Sequence, residues 1–142
     1  MSCSSVYVSD AMYYPDQADF YNMAVLGMFA GLPEELLSFT QGIESRLGRN
    51  RLEEFRNGPR SMDIDIEFFG SAKINSPLLQ IPHRRVQERA FVLVPMLEIL
   101  QENTEPIYTG FVDVDFYKNC LRRLPNQNVR KLDLPRFRLV EG

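Results

Sequence analysis

Asp63 and Asp65 stand two residues apart in a stretch, 62–68, where Met62, Ile64, Ile66 and Phe68 alternate with Asp63, Asp65 and Glu67. This is the period of a strand with one buried face, so the two aspartates point the same way. Their Cα atoms are then about 6–7 Å apart, close enough for both carboxylates to serve one hard cation. Oxygen donors of this kind suit Mg²⁺, which takes few protein carboxylates and completes its shell with water and substrate phosphate. The plainer reading is a solvated strand face, where carboxylates belong. Against it, aspartate is a poor strand former, and Arg60 stands three residues before Asp63, behind the Gly58-Pro59 turn. Arg46, Arg49, Arg51, Arg56 and Arg60 crowd one stretch against only Glu53 and Glu54. Such a cluster suits a polyphosphate, an RNA backbone or water alone. A small anionic ligand fits best, because the rest of the chain does not extend the basic surface.

Residues 5–8 are β-prone, 9–18 read as a loop, and 23–29 form a nearly continuous apolar run that predicts an interior strand entered from Asn22. Pro33, with Glu34 and Glu35 behind it, predicts a helix start. Leu36, Thr40, Ile43 and Leu47 would make its buried stripe, Gln41 and Glu44 lie beside that stripe, and Gly48 ends it. Residues 49–57 read as a polar loop, and 71–80 as a turn with a short extended piece. Val92, Leu93, Met96, Leu97 and Ile99 predict a helix packed on the sheet, with a local kink at Pro95. Further on, 111–114 reads as extended, 116–124 as a short helix, and 133–142 as a tail with no assigned work.

The chain has 142 residues, the size of one domain. Its net charge of −3 argues against a general nucleic-acid binder. Cys3 and Cys120 lack metal-type spacing and read as free thiols of a reducing cytoplasm. No apolar run approaches the roughly 20 residues of a membrane span, and the N-terminus shows no basic segment followed by an apolar core.

A second motif follows the acidic stretch: Ile81-Pro82-His83, then Glu88-Arg89-Ala90-Phe91-Val92-Leu93, with Pro95 and Glu98-Ile99 behind it. Gly58-Pro59-Arg60-x-x-Asp63-x-Asp65-Ile66 followed by this motif resembles the 6-hydroxymethyl-7,8-dihydropterin pyrophosphokinase family of folate biosynthesis. The resemblance runs from about residue 4 to 132, with 126–132 similar to the family's terminal segment. It implies a single α+β domain over 1–142, with an antiparallel-rich, ferredoxin-like sheet and helices packed on it. The family's first strand, carrying Gly-Ser-Asn, and the helix after it have no counterpart in the sequence. Two other departures stand out: Asn57 replaces an aromatic residue, and 9–12 keep only a hydroxyl of the usual Ser/Thr-Pro-rich turn.

What the resemblance implies for function is transfer of pyrophosphate from ATP to the hydroxymethyl oxygen of the dihydropterin, releasing AMP. Asp63 and Asp65 would hold two Mg²⁺ ions and, with Arg49 and Arg60, carry catalysis. Gln41, Glu44, Arg49, Arg51, Arg60, Ile66, His83 and Arg89 would line the nucleotide site. Ser9, Phe20, Asn22 and Phe91 would receive the pterin, Asn22 offering a donor and an acceptor to the ring edge. The implied partners are small molecules, not nucleic acid or membrane, together with association with other folate-pathway enzymes. The competing reading is a non-catalytic relative or an incomplete fragment, because loss of an interior first strand exposes sheet edges. An RNA-contacting module ranks last, since the arginine cluster lacks interleaved aromatics.

Overall fold

The structure is a computed structural model and describes residues 1–9, 20–48 and 62–137. It divides into two compact units: unit 1 comprises Met1–Met28 and Arg85–Gly142, unit 2 Phe29–Arg84. The architecture is α+β, and among the described residues every strand pairing is antiparallel.

In unit 1, β1 (Ser2–Cys3) pairs with β4 (Val25–Leu26), and β2 (Tyr7–Ser9) lies between β3 (Phe20–Asn22) and β7 (Arg130–Lys131). β2 is buried along its whole length. The register sets Tyr7 opposite both Asn22 and Lys131, and Ser9 opposite Phe20. The apolar run over 23–29 does not form the expected interior strand. β3 ends at Asn22, only Val25–Leu26 pairs again, and Val25 and Met28 are 55% and 71% exposed. A strand is interior only with partners on both sides, and among the described residues β4 has just β1. The break between β3 and β4 is held by Ser4, fully buried, whose hydroxyl accepts from Ala24 N–H at 2.8 Å and donates to the Ser5 carbonyl.

Against this sheet packs α2 (Ala90–Glu102). Its apolar residues run almost all round: Leu93 is wholly buried, and Pro95, Met96, Leu97, Ile99 and Leu100 nearly so. Burying each such side chain contributes roughly 1.5–3 kcal/mol, so α2 is the core of the unit. Pro95 sits inside it as expected and offers no N–H to the carbonyl of Phe91, four residues earlier. A 3₁₀ turn over Val86–Glu88 leads into the helix, and α4 (Val114–Arg123) covers its other side. α3 is a short turn of helix, Pro106–Thr109. The expected extended piece over 111–114 is absent. Asp113 instead caps α4, its carboxylate accepting from Phe116 N–H at 3.0 Å, and Arg122 and Arg123 close the helix against its dipole.

In unit 2, α1 (Pro33–Arg46) begins with Pro33 in its first turn beside Glu34 and Glu35, and the chain leaves it through Gly48 at φ 99°. Thr40 and Glu44 are its buried residues, with Leu36, Leu37 and Ile43 half-buried; Leu47, expected in the stripe, is 48% exposed because it has already left the helix. Phe29 contacts Phe39 of α1 and Phe69, with ring centroids 6.4 Å apart in each pair. β5 (Ile74–Asn75) and β6 (Gln80–Ile81) form a hairpin whose loop is tied by Ser76, which bonds both backbone groups of Leu79.

The acidic stretch keeps its alternation but not its strand. Asp63 and Asp65 are exposed while Ile64 and Ile66 are half-buried. Residues 62–69 belong to no strand ladder among the described residues. Alternation dictates where side chains point, whereas a strand also requires a neighbour to exchange backbone bonds. One such bond is present at the far end, from His83 N–H to the Glu67 carbonyl at 3.0 Å. The stretch then turns at Gly70, whose φ of +53° disfavours any side chain, and the turn closes from Ala72 N–H to the Phe69 carbonyl.

Candidate functional site

The site residues expected from the sequence that lie among the described residues fall into two sets. Unit 2 carries Gln41, Glu44, Asp63, Asp65, Ile66 and His83; unit 1 carries Ser9, Phe20, Asn22, Arg89 and Phe91. Arg49, Arg51 and Arg60, with most of the loop expected over 9–18 and the turn expected at Gly58-Pro59, lie outside the described residues.

In unit 2 Asp63 and Asp65 are exposed residues, with the half-buried Ile64 between them. Two adjacent oxygen donors in water fit a hard divalent ion that retains several waters. Among the described residues no group of three or more His, Cys, Asp or Glu gathers into a ready-made metal cage. A pair completed by phosphate oxygens does not require one. His83 is half-buried, and its bond to Glu67 brings it beside the end of the acidic stretch. On α1, Gln41 is exposed and Glu44 is 5% exposed. Glu44 is thus a buried acid with a partner.

In unit 1 the register does more than the sequence pattern promised. Residues directly opposite in an antiparallel pair share a face, as do residues two apart. Tyr7, Ser9, Phe20 and Asn22 therefore share one face of the β3-β2-β7 sheet. Asn22 ends β3 rather than opening a strand, and Phe20 is 54% exposed. Arg89 is the N-cap of α2, in an extended conformation, and Phe91 is in the helix's first turn. The Arg89 guanidinium lies 5.5 Å from the centroid of the Phe91 ring, within the range of a cation–π contact.

The same sheet face meets α2 through a polar cluster that the sequence did not suggest. Tyr7 donates its hydroxyl proton to Glu98, and Ser5 N–H donates to the other carboxylate oxygen at 2.6 Å. Arg136 reaches in from the segment thought to have no work: Nη2 donates to Glu98 Oε1 at 2.5 Å and to Glu102 Oε1 at 2.7 Å. Its Nη1 donates to Glu102 Oε2 at 2.6 Å, and its Nε to the Ser5 hydroxyl at 3.2 Å. Lys131 Nζ is 3.4 Å from Glu98 Oε2. Burial by itself would raise the Glu98 pKa. The hydrogen bonds from Tyr7 and Ser5, with the Arg136 charge, outweigh it and hold the carboxyl down at about 2. Burial and the Glu98 carboxylate push the Tyr7 hydroxyl well above its ordinary range, so it stays a donor. One signal did exist in sequence: Glu98 is the lone acid inside an apolar helical run, and a buried carboxylate needs a cation. Unit 1 also has an open groove of about 450 Å³, lined in part by Tyr7, Leu97, Glu98, Lys118 and Arg122. It contains none of the expected ligands.

Residues 1–101 match the model of the 7,8-dihydro-6-hydroxymethylpterin-pyrophosphokinase (HPPK) family, and the chain belongs to that family. It is 48% identical over 99 residues to the 2-amino-4-hydroxy-6-hydroxymethyldihydropteridine pyrophosphokinase of Bacillus subtilis (strain 168), covering 70% of this chain and 58% of that protein. It is 41% identical over 104 residues to the protein of the same name from Synechocystis sp. (strain ATCC 27184 / PCC 6803 / Kazusa), covering 73% and 52%. Over 121 residues it is 41% identical to the Folic acid synthesis protein fol1 of Pneumocystis carinii, covering 85% of this chain but 16% of that one. The chain thus spans little more than half the length of the first two relatives and a small part of the third. Both Cys3 and Cys120 are free thiols, and no helix among the described residues is long and apolar enough to cross a membrane.

Proposed function

We infer that this chain acts in folate biosynthesis as a pterin pyrophosphokinase, moving the β,γ-diphosphate of ATP onto the hydroxymethyl oxygen of 6-hydroxymethyl-7,8-dihydropterin. The new bond joins that oxygen to the β-phosphorus, the bond from the β-phosphorus to the α–β bridging oxygen breaks, and AMP leaves with that oxygen as the hydroxyl proton is released. The observation that carries the reading is the family match over residues 1–101, which contains every ligand expected from the sequence.

The roles divide by unit. Asn22 presents an amide donor and acceptor to the pterin edge, from the same sheet face as Ser9 and Phe20. Phe91 stacks on the ring, and Arg89, resting on Phe91, turns its guanidinium to phosphate oxygens in the fork geometry a lysine lacks. In unit 2, Gln41, Glu44, Ile66 and His83 serve the nucleotide, and Arg49, Arg51 and Arg60 oppose its phosphate charge. Asp63 and Asp65 would hold two Mg²⁺ ions, which when bound supply Lewis-acid neutralisation of the phosphates. Little covalent work falls to the protein, so positioning and fixed charge provide most of the rate. Association with other folate enzymes accords with the Pneumocystis relative, where the matched stretch is a small part of a much longer chain.

Incubating the purified chain with ATP, magnesium and the hydroxymethyl dihydropterin tests the reading. AMP and the pterin diphosphate should appear in equal amounts. Binding of both substrates with no AMP formed would show a non-catalytic relative instead.

A further inference from the structure

Residues 127–136 lie beyond residues 1–101, the range matched by the family model, yet they grip unit 1 at two places that bear on its expected ligands. The first is Gln127. Its Nε2 donates to the Glu88 carbonyl at 3.0 Å and its Oε1 accepts from Ala90 N–H at 2.8 Å. These two groups belong to the peptide units on either side of Arg89, so one side-chain amide holds both. Arg89 is extended, φ −115° and ψ 102°, and makes no side-chain capping bond. The Ala90 N–H is among the helix-start donors that have no partner within the helix. A brace from outside the helix keeps Arg89 from winding into it, and so fixes where both the guanidinium and the Phe91 ring beneath it point.

The second place is the far end of the segment. β7 pairs with β2, Lys131 approaches Glu98, and Arg136 bridges Glu98, Glu102 and the Ser5 hydroxyl. Glu98 accepts in turn from Tyr7, the residue directly opposite Asn22. The position of β3, three residues long, is thereby tied through β2 to the core helix.

We propose that residues 127–136 form a strap that positions the substrate ligands of unit 1. Gln127 is the positioning residue for Arg89 and Phe91, and Arg136, acting through Glu98 and Tyr7, is the positioning residue for Asn22. The assignment rests on the pterin reading above, and its test separates the two. The full chain and its variants are titrated calorimetrically with the hydroxymethyl dihydropterin and, separately, with a non-hydrolysable ATP analogue plus Mg²⁺; amide hydrogen exchange is followed at residues 20–22 and 88–91. Arg136→Ala weakens pterin binding about tenfold and leaves the nucleotide unaffected, while Gln127→Ala weakens pterin binding about three- to tenfold. Gln127→Glu keeps an acceptor for Ala90 N–H but faces the Glu88 carbonyl with a carboxylate, and recovers only part of the loss. Arg136→Lys keeps the charge without the fork and recovers only part as well, which guards against a variant that simply fails to fold. Pterin binding equal to wild type in both alanine variants overturns the strap, even if their melting temperatures fall. A wild-type chain that binds no pterin overturns the functional reading instead, and exchange then decides the strap. Faster exchange at Ala90 and Asn22 in the variants upholds it, and unchanged exchange overturns it.

Discussion

In unit 1 the strand that carries Asn22 is laddered to a buried central strand, which is held in turn by a carboxylate with four partners: Tyr7, Ser5, Lys131 and Arg136. In unit 2 Asp63 and Asp65 stand on an extended stretch that joins no ladder among the described residues and keeps one face in water. The two arrangements suit different ligands. A flat heterocycle is recognised by hydrogen bonds and stacking, which demand fixed directions. A hydrated divalent ion with a polyphosphate is recognised by charge, which tolerates a less constrained mount and needs solvent access.

The largest test of this contrast is Asp65→Ala. Turnover should fall about 10²–10³-fold, the usual cost of removing one electrostatic group that acts on the transition state. Pterin affinity and the thermal melt should stay near wild type, since surface substitutions of this kind cost within about 0.5 kcal/mol. Comparable loss of pterin binding would erase the distinction between the units. Leu93→Ala attacks the core of unit 1 instead. It should destabilise the chain by roughly 2–5 kcal/mol, read by denaturant titration. Asn22→Ala should weaken pterin binding about tenfold in calorimetry with nucleotide binding intact, reflecting hydrogen bonds lost to a neutral ring.

The smallest effect is a pH dependence confined to unit 1. Glu98 is held at about 2 in the fold against an ordinary 4.5. A carboxyl lowered by folding contributes stability that is complete above about pH 4.5 and is lost as the pH falls toward 2. For a site at the edge of solvent that contribution is on the order of 1 kcal/mol. Glu98→Gln should flatten the acid limb of the stability curve over that window, and an unchanged limb would show that the cluster adds nothing.

Much of this was legible in the residues themselves. Pro33 with Glu34 and Glu35 marked the start of α1, Gly48 its end, and the apolar spacing through Leu93, Met96 and Leu97 marked α2. The alternation at 62–68 correctly placed Asp63 and Asp65 in water. It could not reveal whether a neighbouring strand pairs with that stretch, because pairing depends on residues far away in the chain. The same limit misled at 23–29, where an apolar run suggested burial but β4 has one partner among the described residues and Val25 is exposed. Val112 and Val114 suggested a strand, yet Asp113 between them was a stronger signal as a helix cap. Arg136 was opaque for a related reason: its partners Glu98 and Glu102 lie 38 and 34 residues earlier, and no local pattern joins them.

The division of labour between the units is tested most directly by titrating wild type and Asp63→Asn/Asp65→Asn with a non-hydrolysable ATP analogue, with and without Mg²⁺, and with the dihydropterin alone. Mg²⁺ should tighten nucleotide binding in wild type and make little difference in the variant, while both proteins bind pterin equally. An equal Mg²⁺ enhancement in the two proteins would contradict the role given to the acidic pair.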